Sequence, residues 1–262
     1  MEVLSFDIEG KFAHFRKFHG NNTAMTFAIP PRTTILGILA AVCGDPRDSY
    51  YERFQADKLK IGIRVMSNLK KSFHRLNFLM IKSKDDFRGQ KGRVQTPFEV
   101  VSGSDIAADK VVYRIYLSPG LQLESFQKIK QQILAQKPVF NLSLGTANFS
   151  ASISKVTTYV NVEKLFANQE WIELDSAGNS DQIAEIQYNE NAAYKLNHIE
   201  EELMPADFVA RNSREVSHMN RVLFATNPFP LNVKLEGEYF RITSESGEVE
   251  TIQFLEYAGI FS

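Results

Sequence analysis

The side chains best suited to chemistry in this 262-residue chain are cations spaced among aromatic rings. From Lys58 to Arg93 the bases are Lys58, Lys60, Arg64, Lys70, Lys71, Arg75, Lys82, Lys84, Arg88, Lys91 and Arg93. Only Asp85 and Asp86 oppose them, a net charge of +9. Phe73, His74, Phe78 and Phe87 are interleaved. Lysine and arginine neutralise phosphates, arginine also stacks on bases, and aromatic rings give unstacked bases a surface. The segment fits a single-stranded nucleic acid. It equally fits a solvated hairpin whose charges block edge-to-edge pairing. A second cluster, Arg16, Lys17 and His19, follows the aromatics Phe12, Phe15 and Phe18. It suits phosphate contact beside a sheet, or an exposed turn with its phenylalanines in the core. Arg211, Arg214 and Arg221 are sparser and read as an RNA or partner contact or as a surface strand.

Metal-independent RNA cleavage needs a base for the 2′-OH, an acid for the leaving oxygen and charge stabilisation of the phosphorane. His74 beside Lys70, Lys71 and Arg75 is the cluster with such groups. It falls in a projecting segment, a poor place for in-line geometry, so no catalytic residue is assigned. His14, His74, His198 and His218 lack metal-ligand spacing. A lone Cys43 excludes an internal disulfide and any multi-cysteine metal site. The reading calls for no metal and no cofactor.

The whole chain carries a net charge of only −1, because Glu163 to Asp207 holds eleven acids against Lys164 and Lys195, a net of −9. A basic region set against an acidic one points to a polyanion on one side and protein or solvent on the other. Hydrophobic content of 44% with 23% charged residues is that of a globular protein. The length suits one large domain or one domain with an appendage. Met1-Glu2-Val3 starts a strand pattern with no basic leader, so a cytoplasmic location is expected. The uncharged run Ile35 to Cys43 is far shorter than the roughly 20 residues a membrane span needs, so no membrane partner is expected.

These groups need a scaffold. Val3 to Ile8 reads as a strand. Pro30 and Pro31 suit the approach to a helix first turn, with Thr33 or Thr34 as cap and Gly44 as stop. The threonines at this N-terminus also read as an anion site. Gly37, Ala40, Ala41 and Gly44 share a face that a neighbour can approach closely. Tyr50, Tyr51 and Phe54 follow in a turn with a short helical piece. Leu59, Ile61, Ile63 and Val65 alternate with polar positions as a half-buried strand. Strands are also expected at Arg75 to Lys82, Val94 to Val101, Val111 to Leu117 and Ala151 to Val162. Leu123 to Gln136 is expected to be a helix, with Phe126, Ile129, Ile133 and Leu134 as its stripe and Pro138 beyond its end. With residues 68–110 set aside, the order is βαββαβ, a ferredoxin-like α+β pattern. The excised piece is long and partly strand-like, so a protruding β-hairpin is expected. The expected domains are 1–162 with that insertion and a β-rich extension, 163–262. Within the extension, Asn179 to Ala210 reads as polar and mobile, with a short helix near Leu196 to Leu203. Val216 to Phe224 reads as a strand, and Val233 to Ile242 with Val249 to Tyr257 as a hairpin around Ser244 to Glu248.

Two stretches carry a resemblance. Gly10-Lys11-Phe12, Phe15-Arg16, the polar turn Gly20 to Thr23, Pro30-Pro31-Arg32-Thr33-Thr34, Leu36-Gly37 and Gly44 resemble the N-terminus of the CRISPR-associated protein 5 family. Pro138-Val139-Phe140, Leu144-Gly145, Phe149 and Ala151 resemble a second segment of that family. The two span most of the first 155 residues, and no motif is recognised beyond about residue 165. The resemblance implies a RAMP-superfamily, RRM-like fold with a thumb at the insertion. It implies an RNA-binding subunit of a type I (type I-B-like) Cascade surveillance complex, capping the crRNA 5′ handle in antiviral defence. Its partners would be the large and backbone subunits, with target DNA met indirectly. The RNA-binding residues would be Arg16, Lys17, His19, Lys70, Lys71, Arg75, Arg88, Lys91 and Arg93. One branch of the family is itself a crRNA-processing endoribonuclease, which gives the runner-up reading; the glycine-rich C-terminal loop of the processing endonucleases is absent. A third reading is a protein scaffold without direct RNA contact.

Overall fold

The computed structural model describes residues 1–18, 23–120, 123–188, 198–209 and 214–255. Strands β1 (Leu4–Gly10), β2 (Phe12–Ala13), β3 (Phe15–Arg16) and β4 (Thr26–Phe27) lead into helix α1 (Arg32–Cys43). Then come β5 (Leu59–Val65), β6 (Leu69–Leu79), β7 (Arg93–Gly103), β8 (Val111–Pro119) and α2 (Leu123–Leu134). They are followed by β9 (Leu142–Ser143), β10 (Ser150–Leu174), β11 (Gly178–Asn179), β12 (Ile183–Gln187) and β13 (Ile199–Phe208). The last three are β14 (Val216–Ala225), β15 (Leu231–Ser244) and β16 (Val249–Ile252). Strands far outnumber helices among the described residues, so sheet edges and faces set where side chains stand.

The main sheet runs β12-β15-β10-β1-β8-β5, with β16 added to β15 and β9 to β10. All its pairings are antiparallel. Two β–α–β units interleave in it. The unit β1-α1-β5 leaves a gap that β8 fills, and β8-α2-β10 leaves a gap that β1 fills. The core lies under the two helices, where Phe6, Ile8, Ile61, Ile63, Ile115 and Leu117 meet Ile35, Leu36, Leu39, Phe126 and Ile129. Helix α1 is apolar nearly all round because it packs against α2, β9 and β13 together. Gly44 caps it at φ 75°, a left-handed position that glycine adopts without Cβ strain.

Several sequence expectations need correction. Pro31, not a threonine, is the N-cap, with no side-chain cap bond, so Thr33 and Thr34 stand inside the first turn. Strand β6 begins at Leu69 rather than Arg75, because pairing with β7 from Leu69↔Gly103 to Leu79↔Arg93 carries it back to the core. Strand β10 continues through residue 162 to Leu174, since β15 offers it a partner along that length. The expected helix near Leu196 to Leu203 is strand β13 from Ile199 onward; pairing with β14 outweighs local helix propensity there. Its residues 196–197 lie outside the described residues, as do 189–195 and 210 of the segment read as mobile; the described rest of that segment holds β12 and β13. Leu134 is exposed, while Phe126, Ile129 and Ile133 are buried as expected. Phe12 and Phe15 join the core, but Phe18 does not, at 52% exposure. The C-terminal hairpin forms around Ser244 to Glu248, with Ser244 N–H donating to Glu248 O at 2.9 Å. Its second strand ends at Ile252 rather than running on to Tyr257, and residues 256–257 lie outside the described residues. Among the described residues, no helix is long and apolar enough to cross a membrane.

Behind the sheet, buried ions tie the last strands to the first. Arg114 reaches Asp7 at 2.8 Å and Glu250 at 3.0 Å. Arg64 reaches Glu250 at 2.8 Å and Asp175 at 3.0 Å. Tyr116 and Tyr159 hydroxyls donate to the Glu250 carboxylate at 2.7 and 2.5 Å. Burial alone would raise the Glu250 pKa. Hydrogen bonds from Tyr159 and Tyr116 and the charges of Arg114 and Arg64 outweigh it and hold the group below the ordinary carboxyl range.

Candidate nucleic-acid interface

The two motif-bearing stretches fold against each other. Val139 and Phe140 N–H groups donate to Val42 O (3.3 Å) and Ala41 O (3.1 Å) at the end of α1. His14 N–H donates to Leu144 O at 3.0 Å. Gly145, at φ 91°, lets this loop approach; a Cβ there would sit 1.9 Å from His14 O. Above this junction opens a cleft of about 770 Å³. Arg16 and Phe18 line it from the first stretch, Thr33, Thr34 and Gly37 from α1, and Ser143, Gly145 and Thr146 from the second. Tyr50, Tyr51, Phe208 and Arg214 close the remaining side. Tyr51 hydroxyl donates to Asp48, which also accepts from Arg214 Nε at 3.1 Å. Sequence spacing gives no hint of Tyr50, Tyr51 or Phe208 here, because they reach the cleft from distant elements.

Arg32, next in sequence to the cleft threonines, does not face solvent. It donates to Asp207 Oδ1 at 2.6 Å, Phe54 O at 2.7 Å and Leu59 O at 2.8 Å, and is 3% exposed. It fastens the start of α1 to β13. His14 is also buried. Its Nδ1–H donates to Glu99 O at 2.7 Å, since a carbonyl only accepts, which leaves Nε2 with the lone pair. Burial lowers its pKa against that hydrogen bond, so the ring is neutral at pH 7. It stacks on Phe98, centroids 4.0 Å apart, and Phe98 continues to Phe149 at 6.3 Å and Phe78 at 6.0 Å. This aromatic chain roots the β6–β7 hairpin beside the cleft.

The hairpin sorts its side chains by the two-residue period of a strand. Lys71, Phe73, Arg75 and Leu79 share one face of β6, with Arg93 opposite Leu79. Lys70, His74 and Phe78 share the other. His74 therefore stands away from Lys71 and Arg75, and its Nε2 lies 3.0 Å from Ser72 Oγ. The hairpin's base is buried from Phe98 to Gly103, and its distal half is exposed. At the tip, Asp86 accepts from Lys82 N and Ser83 N, each at 2.7 Å, and pairs with Lys91 at 2.7 Å. Lys91 first, then those backbone donors, hold the Asp86 pKa below its usual range.

Arg16, Lys70, Arg75, Arg88, Lys91 and Arg93 are exposed. His19 and Arg211 lie outside the described residues. Lys17 and Lys71 are half-buried and ion-paired: Lys17 with Glu202 at 2.5 Å, Lys71 with Glu200 at 2.7 Å. Lys17 also lies 5.2 Å from the Phe27 ring centre. Arg221 pairs with Glu201 at 3.4 Å. The structure thus brings Arg16, Lys17 and Lys71 to the cleft and hairpin root, and sets Arg75, Arg88, Lys91 and Arg93 farther along the hairpin.

The family model described as CRISPR-associated protein (Cas_Cas5) matches residues 3–220. No curated protein matches the chain in sequence. Among solved structures, the chain is similar to a CRISPR protein from Archaeoglobus fulgidus, at 15% identity and a TM-score of 0.56, over 97% of this chain and 100% of that one. It is also similar to a chain titled as a CRISPR RNA-guided surveillance complex, at 12% identity and a TM-score of 0.49, over 89% of this chain and 91% of that one. A further similarity is to a Cas protein, at 13% identity and a TM-score of 0.45, over 89% of this chain and 95% of that one. The first likeness shows a shared fold. Every residue lining the cleft falls within the family match, and the chain belongs to the CRISPR-associated protein 5 family.

Proposed function

We propose that this protein is a non-catalytic RNA-binding subunit of a type I CRISPR surveillance complex in the cytoplasm. It caps the crRNA 5′ handle and docks the large and backbone subunits. The carrying observation is the convergence of both family segments on one open cleft, with Arg16 lining it and the basic hairpin rooted beside it. A splayed 5′ end enters the cleft, where phosphate contacts fix its register and aromatic faces take unstacked bases. The hairpin acts as a thumb that kinks the strand as it leaves. The interleaved β1-α1-β5-β8-α2-β10 unit is read as a ferredoxin-like, RRM-like core, an assignment supported by its strand order.

The non-catalytic part of the reading is supported by geometry. Lys71 and Arg75 stand on the opposite face of the hairpin from His74, which leaves it with Lys70 alone, and His14 is buried with Nδ1 engaged. Repeat RNA incubated with the full chain in EDTA stays intact, while binding to it weakens steeply with salt. Site-specific cleavage lost on His74→Ala would replace this reading with the endoribonuclease one. Binding indifferent to salt would favour a protein scaffold.

A further inference from the structure

Strand β13 carries three consecutive glutamates, and the strand period sends Glu200 and Glu202 to one side and Glu201 to the other. Glu202 Oε1 lies 2.5 Å from Lys17 Nζ and 3.9 Å from Lys71 Nζ. Glu200 holds Lys71 at 2.7 Å. One carboxylate thus bridges two ammonium groups that reach it from different elements, the end of the aromatic run and the root of the hairpin. Lys17 and Glu202 side chains are 17% and 15% exposed and Lys71 26%, so the cluster lies at the edge of the surface rather than in the core. Glu201 instead meets Arg221, away from both lysines.

Resting on the RNA-binding reading above, we propose that Lys17 and Lys71 form a phosphodiester subsite, occupied in the free protein by the Glu202 carboxylate. A carboxylate and a phosphate present the same charge and the same acceptor oxygens to an ammonium group. Glu202 holds the two cations at a spacing one phosphate can bridge, and it must leave when RNA arrives. A single phosphate competes poorly with a carboxylate already tethered in place. A strand whose neighbouring phosphates are held elsewhere displaces it through effective concentration. Because the displaced anion belongs to the protein, this subsite adds less to the salt dependence than two free lysines would.

The test uses the full chain, fluorescein-labelled single-stranded oligouridine and a salt titration, since phosphate contacts carry no sequence information. Glu202→Gln should bind about two- to fivefold more tightly at low salt, the scale of one part-exposed ion pair. Its salt slope should steepen by about 0.7, for the one single-strand contact freed at Lys17, since Lys71 keeps Glu200 at 2.7 Å. Glu201→Gln makes the same charge change but leaves Lys17 and Lys71 paired, and should show little gain. Glu200→Gln, which frees only Lys71, should fall between them. Lys17→Ala should weaken binding more in the E202Q background than in the wild type. If E202Q binds no more tightly than E201Q, the subsite assignment fails while RNA binding stands. If no variant, wild type included, shows salt-dependent binding, both fall.

Discussion

Arg32 sits in the Pro-Pro-Arg-Thr-Thr segment, where sequence alone would allow a phosphate ligand. Its charge instead meets Asp207, 175 positions away, and its other donors close the carbonyls of Phe54 and Leu59. Removing one partner of a buried pair strands the other, so Arg32→Ala should cost about 3–5 kcal/mol in chemical denaturation. Arg32→Lys should recover only part of this, because a point charge cannot reproduce the guanidinium fork. No local pattern reveals such a pair, since its partner arrives only through the path of β13. The same holds for Lys17 and Lys71. Their types were legible as phosphate ligands, but their glutamate partners were not.

At the scale of elements, legibility followed hydrophobic periodicity. Leu59, Ile61, Ile63 and Val65 of β5 and Val111, Tyr113, Ile115 and Leu117 of β8 recur at the two-residue period and are buried in the core, and α2 carries its stripe at helical spacing. The outer half of β10 is harder to read, because apolar Val160, Phe166 and Trp171 stand on its open face and bulges at Tyr159/Asn161 and Asn168/Glu170 shift its register. Its length comes from pairing with β15, a tertiary fact. The basic hairpin was legible as an insertion, but not its buried root, which depends on Phe98 meeting His14 and Phe149. Trypsin should cut the free protein first after Lys84 or Arg88, where the distal half is exposed; early cuts in the base near Lys70 or Lys71 would contradict a rooted hairpin. Replacing Arg88, Lys91 and Arg93 together with Ala should lower the salt slope by about 1.4 rather than about 2.1. Lys91 already has Asp86 as its counterion, leaving Arg88 and Arg93 as the main contributors. Affinity should fall alike for all RNA sequences.

At the scale of the whole molecule, the Asp7, Arg64, Arg114, Asp175 and Glu250 network joins β1, β5 and β8 to the strands beyond β10. Glu250→Gln should destabilise the fold by about 3 kcal/mol, since Arg64 and Arg114 lose a shared buried partner. The pH dependence has a definite sign. A carboxyl whose folded pKa is depressed stabilises above the ordinary value of about 4.3 and loses that effect as pH falls through the folded value. The gap between wild type and E250Q should therefore be full at neutral pH and close in acid. Asp175 opposes this, because burial raises its pKa, so its proton is favoured in the folded state. The network braces the sheet that carries the cleft and hairpin, and it lies away from the proposed RNA path. E250Q should thus lower stability without changing the salt slope of RNA binding under conditions where the variant is folded.

The central claim is that RNA occupies the cleft between the start of α1 and the root of the hairpin. Photo-cross-linking of the full chain to 4-thiouridine-substituted, handle-bearing RNA, followed by mass spectrometry of the peptides, locates the strand directly. Adducts should concentrate on the peptides holding Phe15 to Phe18, Tyr50 to Tyr51 and the Lys71, Phe73, Arg75 face of β6, and Arg16→Ala should reduce the cleft adducts. Adducts confined to the open face of β10 around Phe166 and Trp171, or cleft adducts unchanged in Arg16→Ala, would contradict the assignment.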